Sequence, residues 1–310
     1  MTLKRFLRMM FVFVVLFDSI QFGQNLKYPA IVSNSLIFYG DKCSWDANAV
    51  HTFSIVEANK DGYKYWAYYG LDHYHAKDSH VKKSGLARSN DLINWEKYEH
   101  NPIINNNCRW PTVIYQYDTF YMFYAEYNNE GFSRIVMVSS KNGLDFENKT
   151  VIVPYVKGEH NQNPFIYFDE NDRNFYLFYY HGTKIDLTQK IWNIVVRKSK
   201  NILELKNKKS RLIVSSKTVI AAPSVTFYEG KYYLLVEEFG KINDEIKWVT
   251  NAFYSDEVDK GYKRVTNNPI LSNNDACAFQ YIFNNNLYVT YSHGVNRAKS
   301  IWNLRMIKVK

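Results

Sequence analysis

Short apolar runs rich in Tyr, Phe, Val and Ile follow one another along most of the chain, separated by Asn, Asp, Gly and Pro. They alternate or run continuously for a few residues, which is the signature of strands and not of amphipathic helices. One run recurs as YKYWAYYG, TFYMFYAE, NFYLFYYHG, KYYLLVEEF and LYVTYSHG. Aligned, these place Tyr65, Tyr121, Tyr176, Tyr233 and Tyr288 in register, at steps of 56, 55, 57 and 55 residues (121−65, 176−121, 233−176, 288−233). A constant period of that length accommodates four short strands per unit.

Each unit carries further runs at matching places. A strand that often starts at Pro precedes the aromatic one, as in WPTVIY, NPFIYF and APSVTF, with a turn such as Asp118-Thr119 or Glu229-Gly230 between them. SGLARS, RIVMVSS, WNIVVRKS and WVTNAFYS supply a third strand, and Trp95–Tyr98 and Tyr262–Val265 a fourth. Asn-Pro-Ile then closes two units, at Asn101–Ile103 and Asn268–Ile270. The fifth unit ends after its third strand, IWNLRMIKV, while NSLIFYG stands unassigned before the first unit. These observations predict an all-β, five-bladed β-propeller whose last blade is completed by an N-terminal strand. Residues 34–40 are expected to pair there, which would shield an exposed sheet edge.

Composition agrees with one β domain. Of 310 residues 46% are hydrophobic, enough for a sizeable core, and the 26 Tyr and 20 Phe suit half-buried pleated surfaces. Only 7 Pro and 13 Gly are present and no linker tract is visible, so residues 24–310 read as one domain. Lys4, Arg5 and Arg8 ahead of the apolar run Met9–Phe17 read as a signal peptide over residues 1–23, implying a secreted or periplasmic protein. That run is shorter than the ~20 residues a bilayer-spanning helix needs, so no stable span is expected after its removal. Cys43, Cys108 and Cys277 match no zinc spacing. Export permits a Cys43–Cys108 disulfide, with buried thiols as the alternative. The formal charge of +9 allows an acidic glycan as partner, while the absence of any recognition-helix pattern argues against nucleic acid.

In a propeller of this kind, function belongs where first strands begin and second strands end, around one mouth of the central channel. Those positions hold Trp45, Asp46, Asn48 and His51, then Asp72, His73 and His75 in the first unit. Arg109, Trp110 and Glu126 follow in the second, and Glu159, His160, Asn161, Asn163 and His181 in the third. The fourth offers Glu237 and Glu238, and the fifth Asp275 and His293. Carboxylates, imidazoles, amides and aromatic faces together suit sugar hydroxyls and sugar rings. His73, His75 and His80 form a loop cluster without metal-ligand spacing, so no metal site is assigned.

The Pro-led strands, the YYLFY-like strands, the turn SSKNGLDF and the Asn-Pro-Ile ends resemble the five-bladed propeller clan of glycoside hydrolases that includes families 43, 62, 32, 68, 117 and 130. The resemblance spans roughly residues 35–310. It implies a glycoside hydrolase acting on a poly- or oligosaccharide, with inversion as in family 43. Family 43 has an Asp base opening blade one, an Asp before the blade-three Pro and a Glu acid two residues before the blade-four Pro. Asp46 matches the first, but Asn163 and Ala221 occupy the other two places, so the standard triad is absent. Catalytic candidates are therefore Asp46, Glu159 and Glu238, with His160 and His51 also open because family 117 uses a His acid. Trp45, His51, Arg109, Trp110, His160, Asn163, His181, Glu237, Asp275 and His293 are the substrate-binding candidates. SWDAN is faintly similar to the opening of family 32, whose other motifs are missing. No cofactor is required; the clan allows calcium in the channel, and this carboxylate set does not demand it. The alternative is a non-catalytic glycan-binding propeller that has lost the acids, which Asn163 and Ala221 favour.

Overall fold

Aromatic and β-branched side chains pack well on pleated surfaces, and the recurrent runs are strands throughout. The computed structural model describes residues 26–40, 44–47, 50–71, 82–184, 190–242, 245–296 and 301–309. The signal peptide expected at 1–23, Cys43, Asn48, Asp72, His73, His75 and His80 lie outside them. β1 (Ile31–Phe38) precedes four strands paired in sequence order, β2 (Val50–Lys60), β3 (Tyr63–Leu71), β4 (Ser84–Ser89) and β5 (Glu96–Lys97). A second group comprises β6 (Arg109–Gln116), β7 (Thr119–Tyr127), β8 (Ser133–Ser140) and β9 (Glu147–Val153). The third holds β10 (Glu159–Asp169), β11 (Asn174–Lys184), β12 (Lys190–Ser199) and β13 (Arg211–Ser216), with a 3-10 helix at Ile202–Asn207. β14 (Val219–Tyr228), β15 (Lys231–Ile242), β16 (Glu245–Ser255) and β17 (Lys263–Arg264) make the fourth.

The last sheet runs β1-β20-β19-β18, from β18 (Asp275–Phe283), β19 (Asn286–Asn296) and β20 (Ile301–Val309). Here β1 pairs antiparallel with β20, Ile31 opposite Val309 and Phe38 opposite Leu304. The preceding residues dock on the same side of the molecule. Tyr28 exchanges backbone hydrogen bonds with the Asn267 side chain (2.8 and 3.1 Å), and its hydroxyl reaches Gln280 Oε1 at 3.1 Å. A single parallel pair, His160 with Ser133, joins the second and third groups into one sheet. Strands β9 and β13 and the 3-10 helix are elements that the sequence patterns above do not single out.

Five apolar clusters fill the gaps between consecutive groups. Trp66 and Tyr68 of β3 meet Phe120 and Met122 of β7. Phe123 and Ile135 meet Ile166 and Leu177, and Phe178 and Ile194 meet Val225 and Leu234. Leu235 and Ala252 meet Leu287 and Val289, while Leu304 meets Phe38, Val50 and Phe53. Each such buried side chain contributes on the order of 1.5–3 kcal/mol of transfer free energy. Polar links cross the same gaps. Val113 N donates to Ser54 Oγ, Asn161 N to Ser133 Oγ and Gln280 N to Ser224 Oγ, each at 2.9 Å, Tyr232 donates to Asp169 at 2.8 Å, and the Tyr281 hydroxyl donates to the Phe53 carbonyl. The first strands of the groups, β2, β6, β10, β14 and β18, contact one another in that order, and β18 contacts β2.

The Asn-Pro-Ile ends have a definite role. Asn101 accepts from Leu86 N and donates to Leu86 O, both at 2.8 Å, and Asn268 makes the same two bonds to Ala252, at 2.7 and 2.8 Å. A side-chain amide thus stands in for a neighbouring strand. Cys108 is a buried free thiol whose pKa is raised by burial, so the thiol alternative holds there in place of a bridge to Cys43. No helix among the described residues is long and apolar enough to cross a membrane.

Candidate functional site

One backbone device repeats in all five strand groups. Near the start of each first strand the register slips, between His51 and Phe53, Arg109 and Thr112, Gln162 and Phe165, Ala221 and Ser224, and Ala276 and Phe279. At each slip one non-glycine residue has positive φ: Thr52 (55°), Trp110 (51°), Asn163 (47°), Ala222 (46°) and Cys277 (48°). Bulges of this kind re-aim side chains, and left-handed non-glycine residues store local strain that concentrates at functional sites. Asn163 is itself such a bulge residue, 5% exposed, which accounts for an amide there: Asn enters the left-handed region more readily than most residues.

Two residues before the bulge, the third and fifth groups build the same contact. Asn161 Oδ1 lies 2.9 Å from His181 Nδ1, and Asp275 Oδ1 lies 2.8 Å from His293 Nδ1. In both cases the partners are directly opposite in register. Asn161 and Asp275 are buried, whereas the two imidazoles are partly open, each with 23% of its side chain exposed. Glu159, at the start of β10, places Oε2 3.9 Å from His181 Nδ1 and keeps 31% of its side chain exposed. Three buried polar atoms here have no protein partner: His160 Nδ1, Asn161 Nδ2 and Ser292 Oγ. Burial also lowers the His160 pKa below its ordinary 6.5, favouring the neutral ring.

Beside this group lies a cleft of about 430 Å3, lined by Tyr127, His160, Gln162, Tyr180, Gly182, Thr183, Ile191 and Trp192. Trp192 sits opposite Gly182 in register, and a Cβ on Gly182 would come within 2.1 Å of the Tyr180 hydroxyl, so glycine leaves that ring its place. Arg109 lies 4.3 Å from the Tyr127 ring centre and Trp110 6.3 Å from it, which brings both to the same rim. Tyr127, Gln162, Tyr180 and Trp192 are not among the residues expected from sequence. The signal for Tyr127, Gln162 and Tyr180 is their place beside the expected residues Glu126, Asn161 and His181, near strand ends, while nothing in the sequence singles out Trp192. A cavity of similar size, about 440 Å3, opens at the other end of the first strands and is lined mostly by apolar and aromatic residues such as Ile55, Val113, Phe165, Val225 and Phe279. It holds none of the expected site residues.

The other expected residues stand apart from the cleft. Asp46 is 0% exposed and is held by Lys97 Nζ at 2.8 Å, by the Tyr69 hydroxyl at 3.1 Å and by Ser44 Oγ. Trp45 stacks on Tyr69, with ring centres 5.7 Å apart, and His51 meets Trp302 edge-on at 4.9 Å. Glu238 accepts from Thr218 (2.6 Å) and Asn251 (2.7 Å), with Arg264 at 3.6 Å. Its neighbour Glu237 points to the opposite face of the strand, where it is buried and accepts from Cys277 N at 2.8 Å. Glu126 is buried between Arg134 and Lys149. Among the described residues no three His, Cys, Asp or Glu side chains gather to hold a metal ion.

No protein-family model matches the chain, nor does any curated protein sequence. Solved structures do. A thermostable family-43 glycoside hydrolase superposes with a TM-score of 0.66 at 18% identity, over 84% of this chain and 89% of its own. The catalytic domain of the Coprinopsis cinerea family-62 α-L-arabinofuranosidase gives 0.67 at 13%, over 92% and 98%. The endo-arabinase of Bacteroides thetaiotaomicron gives 0.64 at 14%, over 89% and 98%. The chain therefore has the β-propeller fold of family 43 and family 62 glycoside hydrolases.

Proposed function

We propose that this protein is an exported glycoside hydrolase that cleaves a poly- or oligosaccharide, with inversion, at the mouth of a five-bladed propeller. The blades are the five strand groups, and β1 completes the last. In support, β2, β6, β10, β14 and β18 touch in cyclic order, and β1 pairs with β20. The arrangement that carries the functional reading is the 430 Å3 cleft with Tyr127, Tyr180 and Trp192 on its walls and Glu159 beside it. Aromatic walls take sugar faces, and the unpartnered ring nitrogen of His160 and the side chain of Gln162 suit sugar hydroxyls. Glu159 is the proton donor to the leaving oxygen. Arg109 at the rim and the formal charge of +9 favour an acidic glycan.

The experiment is incubation of the folded protein with arabinans, xylans and uronate-containing glycans, with anomers followed by NMR. Release of sugar with inverted configuration is expected. Glu159→Gln should lower kcat by ~10²–10⁴-fold, the usual contribution of a general acid. Failure of the folded wild type to release sugar from the whole panel overturns the reading.

A second reading, a glycan-binding propeller without catalysis, draws on Asp46, whose carboxylate is enclosed and paired with Lys97, and on Ala221 in place of an acid. Calorimetric binding of a glycan without turnover would select it.

A further inference from the structure

Inverting hydrolysis needs a base to take a proton from water, and the carboxylate expected in that role, Asp46, is shut away against Lys97. The mouth holds another group suited to the task. Asp275 is 5% exposed and lies 2.8 Å from His293 Nδ1, while His293 keeps 23% of its side chain open. A carboxylate on Nδ1 fixes the proton on that nitrogen and leaves Nε2 as the acceptor. Asp275 is in turn held in place, because its Oδ2 accepts from Asn273 N at 3.1 Å and its carbonyl from Thr250 Oγ1 at 3.3 Å.

The matching pair in the third group shows what is special about the fifth. Asn161 occupies the place of Asp275 and contacts His181 at 2.9 Å, in the same register and two residues before the same bulge. An amide can orient an imidazole but cannot stabilise its cation as a carboxylate does. His181 has an amide at hydrogen-bond distance and the Glu159 carboxylate only at 3.9 Å, whereas His293 has a buried carboxylate in direct contact at 2.8 Å. Across its own sheet His293 faces Asp275 on β18 and uncharged Asn303 on β20. The nearby His51 packs on Trp302, the residue next to Asn303.

We propose that His293, oriented by Asp275, is the general base of the reaction, and this rests on the hydrolase reading above. His293 Nε2 takes a proton from water as the water oxygen bonds to the anomeric carbon. The bond from that carbon to the glycosidic oxygen breaks, its electron pair stays on the oxygen, and that oxygen receives the carboxyl proton of Glu159. The imidazolium proton then returns to solvent, and Glu159 is reprotonated from it.

The test uses the full-length protein with whichever panel glycan it cleaves. His293→Gln should lower kcat by ~10²–10⁴-fold while calorimetric affinity for the glycan changes by less than about threefold. Asp275→Asn should also lower kcat while glycan affinity stays within about threefold, since Nδ1 then lacks the carboxylate that fixes the ring and its tautomer. If His293→Gln is poorly folded by circular dichroism, Asp275→Asn carries the test alone. A folded His293→Gln or Asp275→Asn that keeps its kcat overturns the proposal and leaves the hydrolase reading standing. A wild type that cleaves no glycan overturns both.

Discussion

Lys97 decides what Asp46 can do. Its ammonium lies 2.8 Å from a carboxylate that is 0% exposed, with Tyr69 also donating to it. A buried ion pair broken on one side leaves an uncompensated charge, at a cost of about 3–5 kcal/mol. Lys97→Met should therefore lower the unfolding free energy by about 3 kcal/mol in urea titration. Asp46→Ala paired with Lys97→Met should recover part of that loss, since both charges are then gone. The sequence marks Asp46 as an acid opening the first unit, but the residue that neutralises it lies 51 positions away (97−46), on another strand. Only folding brings them together. The contact between Asp275 and His293 is equally invisible as a contact in the sequence, although both residues stand among the candidates the sequence offers.

At the scale of the element, strands and turns were largely legible because their physics is local. The turn in SSKNGLDF is built by Asn142 Oδ1, which accepts from Leu144 N and Asp145 N at 3.0 Å. In the first unit Asp91 Oδ1 does the same for Ile93 N (2.9 Å) and Asn94 N (2.8 Å), and those donors hold its pKa down to about 2. The bulges were not legible, since Thr52, Trp110, Asn163, Ala222 and Cys277 share no side-chain chemistry. Their left-handed backbone is imposed by the strands on either side. Ala222, at φ 46°, carries a Cβ where a left-handed residue costs about 1–2 kcal/mol. Ala222→Gly should relieve that strain, less the extra entropy of glycine in the unfolded chain, and raise stability by about 0.5–1 kcal/mol. The thermal midpoint should rise accordingly, and a fall would show that the methyl packs usefully at its 5% exposed site.

For the whole molecule, the N-terminal residues couple distant parts of the chain. Phe38 packs with Val50, Phe53 and Leu304, and Tyr28 with Tyr233 at 5.5 Å between ring centres. Removing residues up to Phe38 uncovers the β20 edge and deletes two buried aromatic side chains, Tyr28 and Phe38, that are 2% and 5% exposed. The truncated protein should melt more than about 5 °C lower or aggregate. A melting curve that matches the full chain would show that this strand is dispensable.

By itself the sequence determined the β class and the period of the repeat. These follow from side-chain alternation and turn chemistry, which act over a few residues. The tertiary structure decided which of the candidate residues are chemically available. It set Asp46 against Lys97, gave Glu237 to Cys277 N and Glu238 to Thr218 and Asn251, backed His293 with a carboxylate and assembled the cleft of Tyr127, Gln162, Tyr180 and Trp192. The reason is physical: exposure, charge pairing and cavity shape depend on neighbours many residues away, and no local pattern encodes who those neighbours are.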